Sequence, residues 1–287
     1  MSLRVKELLR EKNLRVPGTL PSFKDLFSSA AREATNAPVT GMFVCSGSAT
    51  NAEICAGAGF DYLLIDGEHA PLSLESIQEQ LRTIAGYPTL SVVRIPFNDP
   101  VLIKQYLDMG VQSLIIPMVH SAEDARAAVA VITYPPKGVR GVGSALARSA
   151  RWNRIPDYLQ ESRKTLSLIV QIESQEGVAN VEEITTVEGI DALFIGPSDL
   201  AASMGYLGQQ DHPEVVEAVY RVISLAKKVG VTVGVNAFVK EQAEAYLQAG
   251  ADFVNIGADV SLLARASEFL AASWKPADDS ADRPASY

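Results

Sequence analysis

The stretch Asp61–Pro71, DYLLIDGEHAP, sets Asp66, Glu68 and His69 directly behind the apolar residues Tyr62, Leu63, Leu64 and Ile65. Comparable junctions recur: Arg94 within VVRIP, Gln171 and Glu173 at the end of LSLIVQIE, and Asp199 in GPSDL. A guanidinium or carboxylate carried by an apolar strand demands a partner of opposite charge. Two carboxylates from neighbouring strands, without cysteine and with one suitable histidine, do not suit zinc. They suit a hard divalent cation such as Mg2+ or Mn2+, which takes few protein oxygens and leaves positions for water and substrate. The strand-like runs hold no lysine, so a Schiff-base mechanism has no obvious nucleophile.

These residues have plainer readings as well. Asp66 and Glu68 serve equally as helix N-cap and first-turn residues, and Asp199 as a cap of the helix that follows. His69 reads also as a hydrogen-bonded rim histidine. His120 and His212 stand at helix starts, HSAED and HPEV, and take no role. Cys45 and Cys55 read as packing residues.

The elements that must position these groups are eight short β-rich runs, at Thr40, Asp61, Leu90, Ser113, Leu166, Ala192, Val231 and Asp252. Between most of them lie helical patterns with apolar residues at three- and four-residue spacing, as in LSLESIQEQLRTIA. Near-continuous apolar strands alternating with helices indicate a parallel sheet covered on both faces. Eight such units favour a closed (β/α)8 TIM barrel, with an open doubly wound sheet as the alternative. In a barrel the catalytic groups sit at the C-terminal strand ends, where Asp66, Glu68, His69, Arg94, Gln171, Glu173 and Asp199 all fall. The chain divides into an N-terminal extension at 1–21, the barrel at 22–273 and a polar tail at 274–287 expected to be disordered. MSLRVKELLREKN reads as a short amphipathic helix, and the Gly- and Arg-rich connection Lys137–Pro156 as an active-site loop.

The 287 residues are 47% hydrophobic and carry a net charge of −9, with no basic patch for nucleic acid. Two cysteines make no disulfide framework, and no apolar run is long enough to cross a membrane. A cytoplasmic protein acting on small molecules is expected.

From about Ser22 to Ala272 the sequence resembles the metal-dependent pyruvate aldolases of the HpcH/HpaI type. The resemblance rests on AGAGFDYLLIDGEHAP, NDPVLIKQYLDMG, YPPKGVRGVGSALARSARWNRIPDYLQ, VQIES and FIGPSDLAASMGY. It implies a TIM barrel of the phosphoenolpyruvate/pyruvate type, a homohexamer and the cleavage of a 4-hydroxy-2-oxo acid to pyruvate and an aldehyde through an enolate. Mg2+, Mn2+ or Co2+ would be held by Glu173 and Asp199, with substrate contacts at Gln171, Gly196, Ser198 and Asp199. It implies His69 as the base, Asp108 as the group tuning it, and Arg94 as the stabiliser of the enolate. VGVNAFV, after the seventh run, departs from the family and is expected to contact the aldehyde end. A lyase acting on a CoA thioester, an oxaloacetate decarboxylase and a non-catalytic 2-oxo-acid-binding barrel are the alternatives.

Asp108 poses a geometric difficulty. Asp99-Pro100 marks a helix start and Gly110 its end. At ~1.5 Å per residue Asp108 then lies roughly 12–14 Å down the outside of the barrel. It is expected to meet His69 of a neighbouring subunit, or otherwise to pair locally at its own helix end.

Overall fold

Strands whose two faces are both covered can be apolar throughout, and the computed structural model, which describes residues 2–10 and 19–274, sets eight of them side by side. They are β1 (Val39–Val44), β2 (Tyr62–Asp66), β3 (Leu90–Arg94), β4 (Ser113–Ile116), β5 (Ser167–Ile172), β6 (Ala192–Ile195), β7 (Thr232–Asn236) and β8 (Phe253–Ala258). Every neighbouring pair is parallel and β8 closes on β1, so the barrel is complete and the open-sheet alternative is excluded.

The helices follow in chain order. α1 (Leu3–Arg10) and α2 (Ser29–Ala34) precede β1, and α3 (Ala49–Ala56), α4 (Leu74–Ile84) and α5 (Pro100–Asp108) follow β1, β2 and β3. α6 (Ala122–Ile132) follows β4, and α7 (Tyr158–Thr165) leads into β5. α8 (Gln175–Ala179) and α9 (Val181–Thr185) follow β5, α10 (Pro197–Ser203) and α11 (Pro213–Val229) follow β6, α12 (Lys240–Gln248) follows β7, and α13 (Asp259–Ala272) follows β8.

Two apolar clusters result from the two-residue alternation of each strand. Outward side chains such as Val44, Leu63, Val93 and Val233 pack under the helices. Inward ones such as Leu64, Val92, Ile115, Phe194 and Phe253 fill the lumen. Below, Val5 and Leu8 of α1 join Phe23 and Leu26 to seal the floor, with the Phe23 ring 4.9 Å from that of Phe253. Arg4 ties α1 to the barrel through Asp61 at 3.1 Å, and both side chains are nearly excluded from solvent. The expected helix at the N-terminus is thus present. The 274–287 tail lies, apart from Trp274, outside the described residues.

The expected active-site loop does not reach the C-terminal rim of its own chain. The connection Lys137–Pro156 follows the descending helix α6 and lies at the N-terminal rim of its own barrel, opposite the polar strand ends. There Arg140 meets Asp108, and Arg148 Nη1 donates to the Met109 carbonyl at 3.0 Å. A segment between a helix and the next strand returns to the bottom of a (β/α)8 unit, and its composition alone does not reveal that side. α13 is unusual too. Of its side chains only Asp259 is buried, while Leu262, Leu263, Phe269 and Leu270 face solvent.

Candidate active site

β2 and β3 pair in the register Asp66↔Arg94, placing a carboxylate and a guanidinium side by side at the C-terminal rim. Arg94 Nε and Nη2 donate to the two oxygens of Asp66 at 2.9 and 2.8 Å. Asp66 Oδ1 also accepts the backbone N–H groups of Glu68 (3.1 Å) and His69 (3.4 Å), turning the chain so that both side chains reach the rim. The helix-capping reading of Asp66 and Glu68 is corrected: Ser73 caps the helix that follows, and Asp66 instead organises a turn while anchoring the arginine. Glu68 lies 3.0 Å from Arg94 Nη1 and 3.7 Å from His69 Nε2, between the two. His69 itself stands mostly in solvent.

On the far side, Glu173 is 2% exposed. The Met118 N–H, from a residue held at φ 54°, donates to its Oε1 at 2.7 Å, and the Gln171 amide grips Oε2. Gly196 leaves room for this pair, because a Cβ there would come within 2.9 Å of Glu173 Oε2. Asp199 lies in the first turn of α10, exposed and close enough to raise the Glu173 pKa. Ser198 also opens towards solvent, where its hydroxyl donates to Gln210 at 2.8 Å.

The electrostatics follow from crowding carboxylates into a dry rim. Burial chiefly pushes Glu173 up, the hydrogen bonds from Met118 and Gln171 oppose it, and the Asp199 charge adds to the rise. Glu68 is pushed up to about 7, first by burial, with Arg94 and His69 pulling down and Glu173 and Asp66 pushing up. For Arg94 burial works against the charge, but the Asp66 hydrogen bonds and the charges of Asp66, Glu68 and Glu173 overcome it and raise its pKa.

The donor set fits a hard cation of low protein coordination. Among the described residues no group of three or more His, Cys, Asp or Glu gathers as a metal site. A cation here would take its protein ligands from Glu173 and Asp199 and leave its other positions to water and substrate, as Mg2+ does.

The single chain brings together His69, Arg94, Gln171, Glu173, Gly196 and Asp199, with Ser198 on their edge, and leaves Asp108 apart. That residue ends α5 at the opposite rim, 3.7 Å from Arg140 and partly exposed. The sequence places Asp66 and Glu68 on the rim by their position at a strand end but without a specific role, and does not single out Met118. The Asp66–Arg94 pairing was accessible through the strand register, whereas the Met118 contact depends on a left-handed backbone that no motif marks.

Eight closed parallel strands with an arginine–carboxylate cluster at their C-terminal ends make a (β/α)8 barrel with its polar groups on the rim where such barrels carry their active sites. Comparison with known proteins fixes the family. The HpcH/HpaI aldolase/citrate lyase family model matches residues 39–266. A 4-hydroxy-2-oxo-heptane-1,7-dioate aldolase of Escherichia coli is 51% identical over 237 residues, which span 83% of this chain and 90% of that protein. A crystal structure of a family protein from Burkholderia cenocepacia J2315 superposes with a TM-score of 0.79 at 40% identity, covering 82% of this chain and 94% of that one. An aldolase of the same family from Desulfitobacterium hafniense DCB-2 gives a TM-score of 0.77 at 28% identity, covering 86% and 96%. The chain belongs to the HpcH/HpaI aldolase/citrate lyase family. It is an aldolase, a carbon–carbon lyase.

Proposed function

We propose that this aldolase cleaves a 4-hydroxy-2-oxo acid to pyruvate and an aldehyde with a divalent cation held by Glu173 and Asp199. The observation that carries the reading is the buried Glu173 carboxylate, pinned by Met118 and Gln171 next to Asp199 and within the field of Arg94. When bound, Mg2+, Mn2+ or Co2+ would supply Lewis-acid polarisation of the 2-oxo acid.

The chain's own residues supply the rest. Breaking C3–C4 leaves negative charge on the former keto oxygen, and Arg94, held by Asp66, is a preorganised cation for it. Its bidentate clamp fixes the guanidinium before substrate arrives, so little reorganisation is needed as charge develops. His69 stands at the open side of the rim and accepts the C4 hydroxyl proton, after which the C–C bond breaks and the aldehyde leaves. The enolate then takes a proton at C3 to give pyruvate. Glu68 bridges Arg94 and His69 and couples the charge of one to the protonation of the other.

The working form is a homo-oligomer, most simply a hexamer. Two features support assembly: the bare apolar face of α13, and Asp108 at the rim facing away from its own His69. In that assembly Asp108 of one subunit completes the site of the next. The cytoplasm is the compartment that two free cysteines fit, and no helix among the described residues is long and apolar enough to cross a membrane. The test is pyruvate release from a panel of 4-hydroxy-2-oxo acids, with and without added Mn2+. Metal-dependent release supports the reading, and no release from any member refutes it.

A further inference from the structure

The barrel layers single out two asparagines. In a (β/α)8 barrel each layer takes one side chain from every second strand, and crossing two strands advances the level by two residues. From Arg94 the registers run through Ile115 to Ile169, so the level residue on β5 is Gln171. From Gln171 they run through Phe194 to Gly234, giving Asn236 on β7. From Asn236 they run through Asn255 to Gly41, giving Phe43 on β1. Phe43, Arg94, Gln171 and Asn236 therefore form one ring, and the Arg94 guanidinium indeed lies 5.1 Å from the Phe43 ring centroid.

Asn255 lies in the layer beneath, with Leu64, Ile115 and Phe194, and is the only polar member of that layer. It is fully buried, and neither Oδ1 nor Nδ2 has a protein hydrogen-bond partner among the described residues. Asn236 is its register neighbour and its Oδ1 is buried without a partner too. A buried amide with unmet capacity costs roughly 1–3 kcal/mol, so an apolar layer would not carry one without a use. Above Asn236, β6 places Gly196 in the next layer, where the Glu173 and Gln171 side chains close over it. β8 bulges so that Ala258 follows Asn255 on the lumen side, and Asn236 itself stays partly exposed. Phe43 and Phe238, with ring centroids 6.3 Å apart, wall the same side. The result is a pair of neighbouring amides, Asn236 level with the arginine that meets the enolate and Asn255 just beneath it, on the side walled by Phe43. It holds no cation to attract a carboxylate.

We propose that Asn236 and Asn255 form a hydroxyl-recognition subsite, so that the preferred substrate carries a further hydroxyl on a carbon flanking the bond that is made or broken. The subsite rests on the aldolase reading and names its substrate class. An amide pair gives a hydroxyl both an acceptor and a donor, and a substrate without that hydroxyl leaves the amides unmet. That asymmetry is what makes polar pockets selective.

The hydroxyl has two sources, C3 of the 2-oxo acid or C2 of the aldehyde, and the experiment separates them. Aldol addition is measured for two pairs that each differ by one hydroxyl: 3-hydroxypyruvate against pyruvate, and glycolaldehyde against acetaldehyde. Wild type should favour the hydroxylated member in at least one pair. In Asn236→Leu and Asn255→Leu the kcat/KM ratio for that pair should fall about tenfold or more. A fall in the first pair assigns the hydroxyl to the 2-oxo acid, and a fall in the second assigns it to the aldehyde. Should a variant not fold, the wild-type ratios decide alone: no preference in either pair overturns the subsite. Ratios equal in wild type and folded variants overturn it while leaving the aldolase reading intact. Failure of every pair to react overturns both.

Discussion

Asp66 and Arg94 are register partners on adjacent strands, and the carboxylate holds the guanidinium through two hydrogen bonds of 2.9 and 2.8 Å. The same arginine reaches Glu68 at 3.0 Å, and through it the side of the rim where His69 stands. One cation is thus fixed at the C-terminal rim by carboxylates from the neighbouring strand end, which is the arrangement that charge developing on a substrate oxygen requires.

Arg94 and His69 should separate kinetically. Loss of a positioned general base costs about 10²–10⁴-fold. His69→Ala should slow retro-aldol cleavage by that order while sparing oxaloacetate decarboxylation, which has no hydroxyl proton to remove. Arg94→Lys should depress both reactions, because a point charge cannot reproduce the bidentate clamp. Steady-state assays on the two substrates check this, and equal damage by His69→Ala would remove its assignment as base.

Asp108 lies at the rim away from His69 of its own chain, paired with a buried Arg140. Co-assembled His69→Ala and Asp108→Ala chains should recover partial activity through sites that keep both residues. Verified mixed oligomers without recovery, or a fully active monomer, would leave Asp108 with its local role alone.

Glu68 gives a pH signature in the metal-free protein. Its pKa rises from an unfolded value of 4.5 to about 7. A raised carboxyl pKa means the folded state holds the proton more tightly. The stabilisation is therefore complete below pH 4.5 and is lost as pH rises through about 7. Thermal melts of apo wild type against Glu68→Gln should show a drop between pH 4.5 and 7 that the variant lacks. Parallel curves would contradict the shift.

Arg4 and Asp61 form a pair nearly closed to solvent beneath the barrel. Breaking a buried pair by removing one partner costs roughly 3–5 kcal/mol. Arg4→Ala should lower stability by that order in urea unfolding, with the metal affinity of the folded protein retained. A change under about 1 kcal/mol would fit a loosely held helix instead.

The barrel was legible because its signal is repeated: eight apolar runs, each followed by a helical period, leave little choice of architecture. Arg94 and Glu173 were legible for a similar reason, since a charge inside an apolar strand has few explanations. The Lys137–Pro156 connection reads as an active-site loop from its glycine and arginine content, which does not say which end of the barrel it occupies. Within its own chain it lies with Asp108 at the N-terminal rim. Asn236 was marked only through its stretch, VGVNAFV, and Asn255 not at all, because a neutral amide in a strand looks ordinary. Only the layer geometry shows that Asn255 sits alone among Leu64, Ile115 and Phe194.

The most direct test of the account is a titration of Mn2+ into EDTA-stripped enzyme while pyruvate release from a 4-hydroxy-2-oxo acid is followed, for wild type and Glu173→Gln. Wild type should be inactive when stripped and recover saturably with Mn2+, and the variant should neither bind the cation by calorimetry nor recover. Full activity in the stripped enzyme, or undiminished Mn2+ binding by Glu173→Gln, would contradict it.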